Sequence, residues 1–234
     1  MNLEAVILDV DGTLVDSERD GHRVAFNAAL AEFGLPWRWE VEEYGRLLAV
    51  TGGQSRLHAY LAEQGVSEED RADLVPRLHR RKTELFIDLV VAGEVPARPG
   101  VVRFLDEVAG AGLRLAVATT GSLEWVEPLL DRHFGPDRFE VVVGGDDVEK
   151  TKPDPAVYLV ALDRLGLEAG AALAVEDSVP GLGAARNAGV ACVVVTNGYT
   201  RGQDFTGAAL VLDGFEGLDV ATLGSLSGAG AGGG

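Results

Sequence analysis

Val6-Ile7-Leu8-Asp9-Val10-Asp11-Gly12-Thr13 decides the reading of this chain. A short apolar run ends in two carboxylates, two residues apart, and then a glycine turn. Such a run reads as a strand buried on both faces. Open α/β sheets present their reactive groups beyond the carboxyl ends of such strands. Ending a buried strand in unpaired acids is costly, because an unpaired buried charge is expensive. A divalent cation facing a phosphate would neutralise both. Four fixed positions of this type match by chance at roughly one start in 10⁵ at ordinary residue frequencies. The plainer alternative is a strand closed by an Asp-Gly turn.

Further along, short apolar runs alternate with helix-length spacers. Leu113 to Thr119, Glu140 to Gly144, Ala172 to Glu176 and Val190 to Val195 read as strands, with Ala209 to Leu212 a weaker edge candidate. Val101 to Ala111, Leu123 to His133, Asp154 to Leu165 and Pro180 to Ala188 read as the intervening helices. Asp154-Pro155 supplies an N-cap followed by proline at the first helical position. This alternation predicts an α/β fold, a doubly wound, Rossmann-like parallel sheet.

Roughly eighty residues separate the first strand from the next, too many for a structureless loop. Glu18 to Phe33, Glu42 to Leu48, Ser55 to Glu63 and Glu68 to Val90 all carry helical patterns, so an α-helical cap domain is expected as an insert. The expected division is 1–16 and 97–222 for the core, 17–96 for the cap, and 223–234 for a disordered glycine-rich tail. Pro96 to Gly100 would form part of the return hinge. No internal repeat is visible.

The formal net charge of −17 argues against nucleic acid or an anionic membrane as partner. No run reaches the ~18 apolar residues of a membrane span, and the first ten residues lack the pattern of a secretory signal. Cys192 is the one cysteine, which excludes an intrachain disulfide and fits a reducing compartment. It lies in an apolar strand, where a buried, inert thiol is expected. A cytoplasmic monomer acting on a phosphorylated small molecule is the expectation.

Four successive strand ends carry chemistry. The first gives Asp9 and Asp11. The second leads into Thr119-Thr120-Gly121-Ser122, where hydroxyls precede a helix N-terminus suited to phosphate, although Thr119 could equally cap that helix. Beyond the third, Lys152 stands before Pro153, where its ammonium could neutralise a transferring phosphoryl group; a solvated surface lysine is the alternative. The fourth ends in Glu176-Asp177-Ser178. Hard oxygen ligands of this kind suit Mg²⁺.

The set Asp9-x-Asp11-Gly12-Thr13, Thr119, Lys152-Pro153 and Glu176-Asp177 resembles the four motifs of the haloacid dehalogenase superfamily of phosphatases, over about residues 3 to 215. The helical insert is similar to that superfamily's cap. The resemblance implies Asp9 as nucleophile and Asp11 as general acid/base that lends its backbone carbonyl to Mg²⁺. It further implies Thr119, Thr120 and Lys152 as phosphate ligands, and a metal site of Asp9, Asp11, Glu176 and Asp177.

Substrate choice is expected from the cap. Asp20-Gly-His22-Arg-x-x-Phe26-Asn27, Gly52-Gly53-x-x-Arg56, His79-x-x-Lys82 and Gly198-Tyr-Thr200 with Asp204-Phe205 resemble the CbbY-type branch, whose members dephosphorylate xylulose-1,5-bisphosphate. That resemblance implies Glu18, His22, Gln54 and Arg56 as cap and entrance contacts. Read alone, Arg56 could be a surface charge and His22 a packed histidine. Gln54-Ser55 stands where that branch usually has Lys-Glu, a departure that bears on the grip on a second phosphate. Phosphoglycolate phosphatases and β-phosphoglucomutase-like mutases share the core motifs and remain alternatives. A non-catalytic phosphosugar-binding protein is the alternative of a different class.

Overall fold

The computed structural model describes residues 3–50 and 52–227. In chain order it runs β1 (Ala5–Leu8), α1 (Arg23–Glu32), α2 (Val41–Leu47), α3 (Gly53–Glu63), α4 (Glu68–Ala92), α5 (Val101–Gly110), β2 (Arg114–Ala118), α6 (Leu123–Phe134), β3 (Val141–Val143), α7 (Ala156–Leu165), β4 (Ala172–Glu176), α8 (Val179–Asn187), β5 (Ala191–Val195), β6 (Leu210–Leu212) and α9 (Val220–Ser227). It divides into two compact units, Met1–Asp16 with Pro96–Gly234, and Ser17–Val95.

In the first unit all six strands are parallel, in the order β3-β2-β1-β4-β5-β6. The chain winds outward from β1 to β3, returns to β4, and winds outward again, so the switch point lies between β1 and β4. Right-handed crossovers then place helices on both faces. The β1 side chains are fully buried, as expected of a central strand covered twice. Ile7, Ala116, Ala174 and Val194 pack on one face against Val157, Ala161 and Leu162 of α7 and Ala185 of α8. The alternate residues Val6, Leu8, Val117 and Val175 turn to the other face; α5 also packs against β2.

Register explains the convergence of the strand ends. Leu8 pairs with both Val117 and Val175, so Asp9, the next residue, comes level with Ala118 and Glu176. The Asp9 N–H donates to the Val175 carbonyl at 3.0 Å, prolonging the ladder by one step. Where the chain leaves and re-enters this unit, the two connecting segments pair: Val15 bridges Ala97 in antiparallel fashion, and the Arg98 N–H donates to the Leu14 carbonyl at 3.0 Å.

The second unit is built from α1 to α4. Phe26, Trp39 and Tyr60 form its aromatic centre, with Trp39 ring centroids 4.9 Å from Phe26 and 5.1 Å from Tyr60. The long helix α4 starts at Ser67, whose hydroxyl accepts the Asp70 N–H, and ends at Gly93 in the left-handed conformation. The helical run expected from Glu18 opens instead as a π-helical turn over Glu18–His22. Gly21 on that turn faces the Phe86 ring so closely that a Cβ would meet it at 2.6 Å. Such turns are often found at functional sites.

Two expectations are adjusted. Helix α7 begins at Ala156, with the Asp154 carboxylate accepting the Ala156 N–H at 3.1 Å, so the cap acts two residues ahead of the first helical turn. The tail expected to be disordered from residue 223 is helical at its start: α9 continues to Ser227 because Leu223 is fully buried and Asp219 accepts the Thr222 N–H at 2.8 Å. Residues 228–234 lie outside the described residues. No helix among the described residues is long and apolar enough to cross a membrane.

Because Ile7 is enclosed by the sheet's helices with no room for solvent, Ile7→Ala should destabilise the core unit by about 2–5 kcal/mol. The expected observation is a urea transition of this unit shifted to lower concentration with an unchanged slope.

Candidate active site

The carboxyl edge of the sheet is built around one buried cation. Lys152 Nζ donates to Asp9 Oδ1 at 2.6 Å, to Glu176 Oε1 at 2.7 Å and to the Ala118 carbonyl at 2.8 Å. All three ammonium protons are thereby placed, and the side chain is 6% exposed. Burial works against the charge, but Asp9 and Glu176 outweigh it and hold Lys152 protonated well above the usual lysine range. A Lys152 solvated on the surface is excluded. Lys152 joins Pro153 by a cis peptide bond.

The anionic side is over-supplied. Asp9, Glu176 and Asp177 are buried and offer oxygens within 4.8 Å of one another. Burial pushes all three carboxyls up, Glu176 to about 7; Lys152 pulls against that rise, while Asp9 adds to it for Glu176 and Asp177. Glu176 Oε2 is buried without a hydrogen-bond partner among the described residues. It lies over Gly181 near the start of α8, where a Cβ would come within 2.0 Å. Clustered hard donors, excess negative charge and an orphaned oxygen fit a small divalent cation. Asp9, Glu176 and Asp177 would hold it. The Asp11 carboxylate is half-buried and stands outside that cluster.

Thr119 is fully buried, and its hydroxyl oxygen accepts the Gly121 N–H at 3.1 Å. It does not cap α6. Ser122 does, accepting the Glu124 N–H at 3.4 Å, while the Asp146 carboxylate takes the Leu123 N–H at 3.0 Å. Thr120 is exposed. The first N–H groups of α6 are therefore engaged within the chain, leaving the Thr119 hydroxyl as the buried phosphate-binding candidate on this strand end.

In the helical unit, Arg56 is buried, not a surface charge. Its Nε donates to the Leu47 carbonyl at 3.2 Å and its Nη1 to the Tyr44 hydroxyl at 3.0 Å, with the guanidinium over the Tyr44 ring. That hydroxyl donates to Glu18 Oε2 at 2.5 Å, linking Glu18 and Arg56 through a residue the sequence did not single out. His22 Nδ1 lies 2.9 Å from Lys82 Nζ. An ammonium only donates, so Nδ1 accepts and the ring proton sits on Nε2. Burial, reinforced by Lys82 and opposed by Glu18, holds the His22 pKa well below the usual range, and the ring stays neutral. Lys82 also lies over the Phe26 and Phe86 rings. Gln54 is exposed on the first turn of α3 and is not drawn into this cluster.

Two core residues escaped the sequence reading. Tyr158 of α7 is fully buried and donates its hydroxyl to Glu176 Oε1 at 2.6 Å, sharing that oxygen with Lys152. Within α7 it looks like any apolar-face aromatic, so nothing in the sequence marks it. Asn197, two residues beyond β5, donates its amide to Asp177 Oδ2 at 2.7 Å. It was discoverable, since it stands beyond a strand end like the four motifs already noted.

Residues 3–189 match the family model of the haloacid dehalogenase-like hydrolases. Protein CbbY of Cereibacter sphaeroides is 44% identical over 230 residues, covering 97% of this chain and 96% of that protein. A crystal structure of CbbY from Rhodobacter sphaeroides in complex with phosphate superposes with a TM-score of 0.78 at 42% identity, covering 91% of this chain and 95% of that one. A mutant of the same protein, in complex with xylulose-(1,5)bisphosphate, gives a TM-score of 0.80 at 42% identity, covering 92% and 96%. With a doubly wound sheet that gathers buried carboxylates around a lysine at its carboxyl edge, this chain belongs to the haloacid dehalogenase-like hydrolases, as a phosphatase of their CbbY family.

Proposed function

We propose that this phosphatase hydrolyses xylulose-1,5-bisphosphate to xylulose 5-phosphate and phosphate, with Mg²⁺, through an aspartyl phosphate on Asp9. The observation that carries the chemistry is the Asp9–Lys152–Glu176 arrangement. The substrate rests on the bisphosphate held by a relative alike over nearly the whole chain.

Lys152 fixes one Asp9 oxygen, leaving the other to attack phosphorus. The P–O bond to the sugar breaks as the Asp9–phosphorus bond forms, which divides one hard displacement into two. Asp11 gives its proton to the departing alkoxide and then takes one from the water that cleaves the acyl phosphate. Lys152 screens the repulsion between the Asp9 carboxylate and the incoming phosphoryl oxygens, and the Thr119 hydroxyl binds one of those oxygens. A bound Mg²⁺ supplies the remaining charge neutralisation. Glu18, Arg56, His22 and Lys82 of the helical unit contribute the choice of sugar. Arg56, already oriented by Leu47 and Tyr44, grips a second phosphate without first losing side-chain freedom.

Phosphate release measured across xylulose-1,5-bisphosphate, ribulose-1,5-bisphosphate, phosphoglycolate and β-glucose-1-phosphate tests the assignment. The first should exceed the others by about a hundredfold or more in kcat/KM, the share expected of one well-placed charge-assisted contact. Arg56→Ala should erase that margin while sparing turnover of p-nitrophenyl phosphate. A preference for a monophosphate would overturn the substrate while leaving the core chemistry standing.

Asp9→Asn should lower turnover by at least about 10³-fold with an unchanged circular dichroism spectrum. Near-wild-type turnover would overturn the mechanism.

The metal reading predicts a pH dependence of definite sign. With its folded pKa near 7, above the ordinary 4.5, Glu176 contributes stability that is full below about 4.5 and lost as pH rises toward 7. A cation must displace those protons at low pH and replaces the lost stability at high pH. Mg²⁺ should therefore raise the Tm more at pH 8 than at pH 5.5, as read by scanning calorimetry.

A further inference from the structure

We propose that Asn197 is a positioning residue that holds Asp177 for the metal. This rests on the reading of Asp177 as a metal ligand and extends it to a strand end to which the family resemblance assigned no such role.

The Asn197 amide is oriented without ambiguity. Its Oδ1 accepts the N–H groups of Tyr199 at 2.8 Å and Thr200 at 3.1 Å, and its own N–H donates to the Thr200 hydroxyl at 3.0 Å. These three bonds form a closed turn beyond β5 and leave Nδ2 pointing the other way. Nδ2 donates to Asp177 Oδ2 at 2.7 Å and lies 3.3 Å from the Gly12 carbonyl. The same carbonyl accepts a hydrogen bond from Arg98, whose guanidinium also donates to the carbonyls of Val195 at 3.1 Å and Thr196 at 2.6 Å. The turn after β5 is thus tied to the turn after Asp11.

Gly12 completes the fit. A Cβ there would meet Asp177 Oδ2 at 2.3 Å and Asn197 Nδ2 at 2.8 Å, so the Asn–Asp hydrogen bond lies directly on the glycine. Its φ of +78° is a conformation side chains rarely adopt. With Oδ2 held by the amide, the rotation of the Asp177 carboxylate is fixed and Oδ1 is presented for coordination. A ligating carboxylate anchored in this way depends on its anchor, and loss of such a partner typically weakens metal binding by about 10- to 100-fold.

The test measures Mg²⁺ affinity directly, by calorimetric titration of the metal alone into the full chain, for wild type, Asn197→Ala, Asn197→Ser and Asp177→Asn. Serine keeps a side-chain oxygen for the turn but cannot reach Asp177, and it serves if the alanine variant fails to fold. The expected result is an Mg²⁺ Kd raised about 10- to 100-fold in both Asn197 variants, with metal-free melting temperatures close to wild type. Wild-type affinity in the serine variant would overturn the proposal, because the turn alone would then suffice. Weakened binding in Asp177→Asn with unchanged binding in both Asn197 variants would overturn it while sparing the metal site. Unchanged binding in Asp177→Asn would remove the metal-ligand reading itself, and the proposal with it.

Discussion

Everything at the carboxyl edge depends on a single ammonium group being kept out of water. Lys152 reaches its place from the segment before α7 and spends every donor it has on Asp9, Glu176 and Ala118. Removing one partner from a buried ion pair is far more damaging than removing both, because the survivor keeps its charge without its solvation. The three acids and the lysine therefore form a unit whose members are not independent. Tyr158 belongs to the same unit, since it hydrogen-bonds the Glu176 oxygen that Lys152 holds. The net excess of negative charge that remains is the local expression of what the site is built to receive.

The parallel sheet makes this concentration of charge possible. Evenly stepped register brings Asp9, just past β1, level with Ala118 and Glu176 at the ends of β2 and β4, so that single residues distant in sequence become neighbours without any loop having to find them. Placed between β1 and β4, the switch point opens the crevice where ligands bind in folds of this type. The glycines here are read by their surroundings: Gly12 lies beneath the Asp177–Asn197 contact, and Gly181 makes room for the Glu176 carboxylate.

How much of this was legible beforehand varies with the kind of signal. Strand ends are legible, because an apolar run that stops at a charged residue contradicts its own burial; Asp9, Glu176 and Asp177 declared themselves in that way. Lys152 lies well beyond the end of β3, so its own pattern left a surface lysine open and only the family resemblance gave it a definite role. Parallel order and the helical insert followed from periodicity and spacing. Tyr158 and Tyr44 did not show, since an aromatic on an apolar helix face carries no mark of whether its hydroxyl has a partner. Arg56 stood undecided for the opposite reason, as charge alone predicts exposure and only packing against Leu47 and Tyr44 reveals otherwise. At α6 the sequence suggested open N–H groups, and the structure closes them with Ser122 and with Asp146, a side chain more than twenty residues away that no local pattern could supply.

The paired segments at the exit and return of the core unit carry a consequence for how such proteins diversify. Val15 and Ala97 are already joined by an antiparallel bridge, and the Asp16 N–H reaches the Pro96 carbonyl at 3.4 Å. Loop-closure entropy rises only slowly with the length inserted, about 0.6 kcal/mol for each doubling. A seam clasped in this way tolerates almost any polypeptide between its ends, from a tight hairpin to a whole folded module. The catalytic half can then persist unchanged while the intervening module is exchanged, lengthened or redesigned, which makes this short stretch of paired backbone a natural graft point for new specificities.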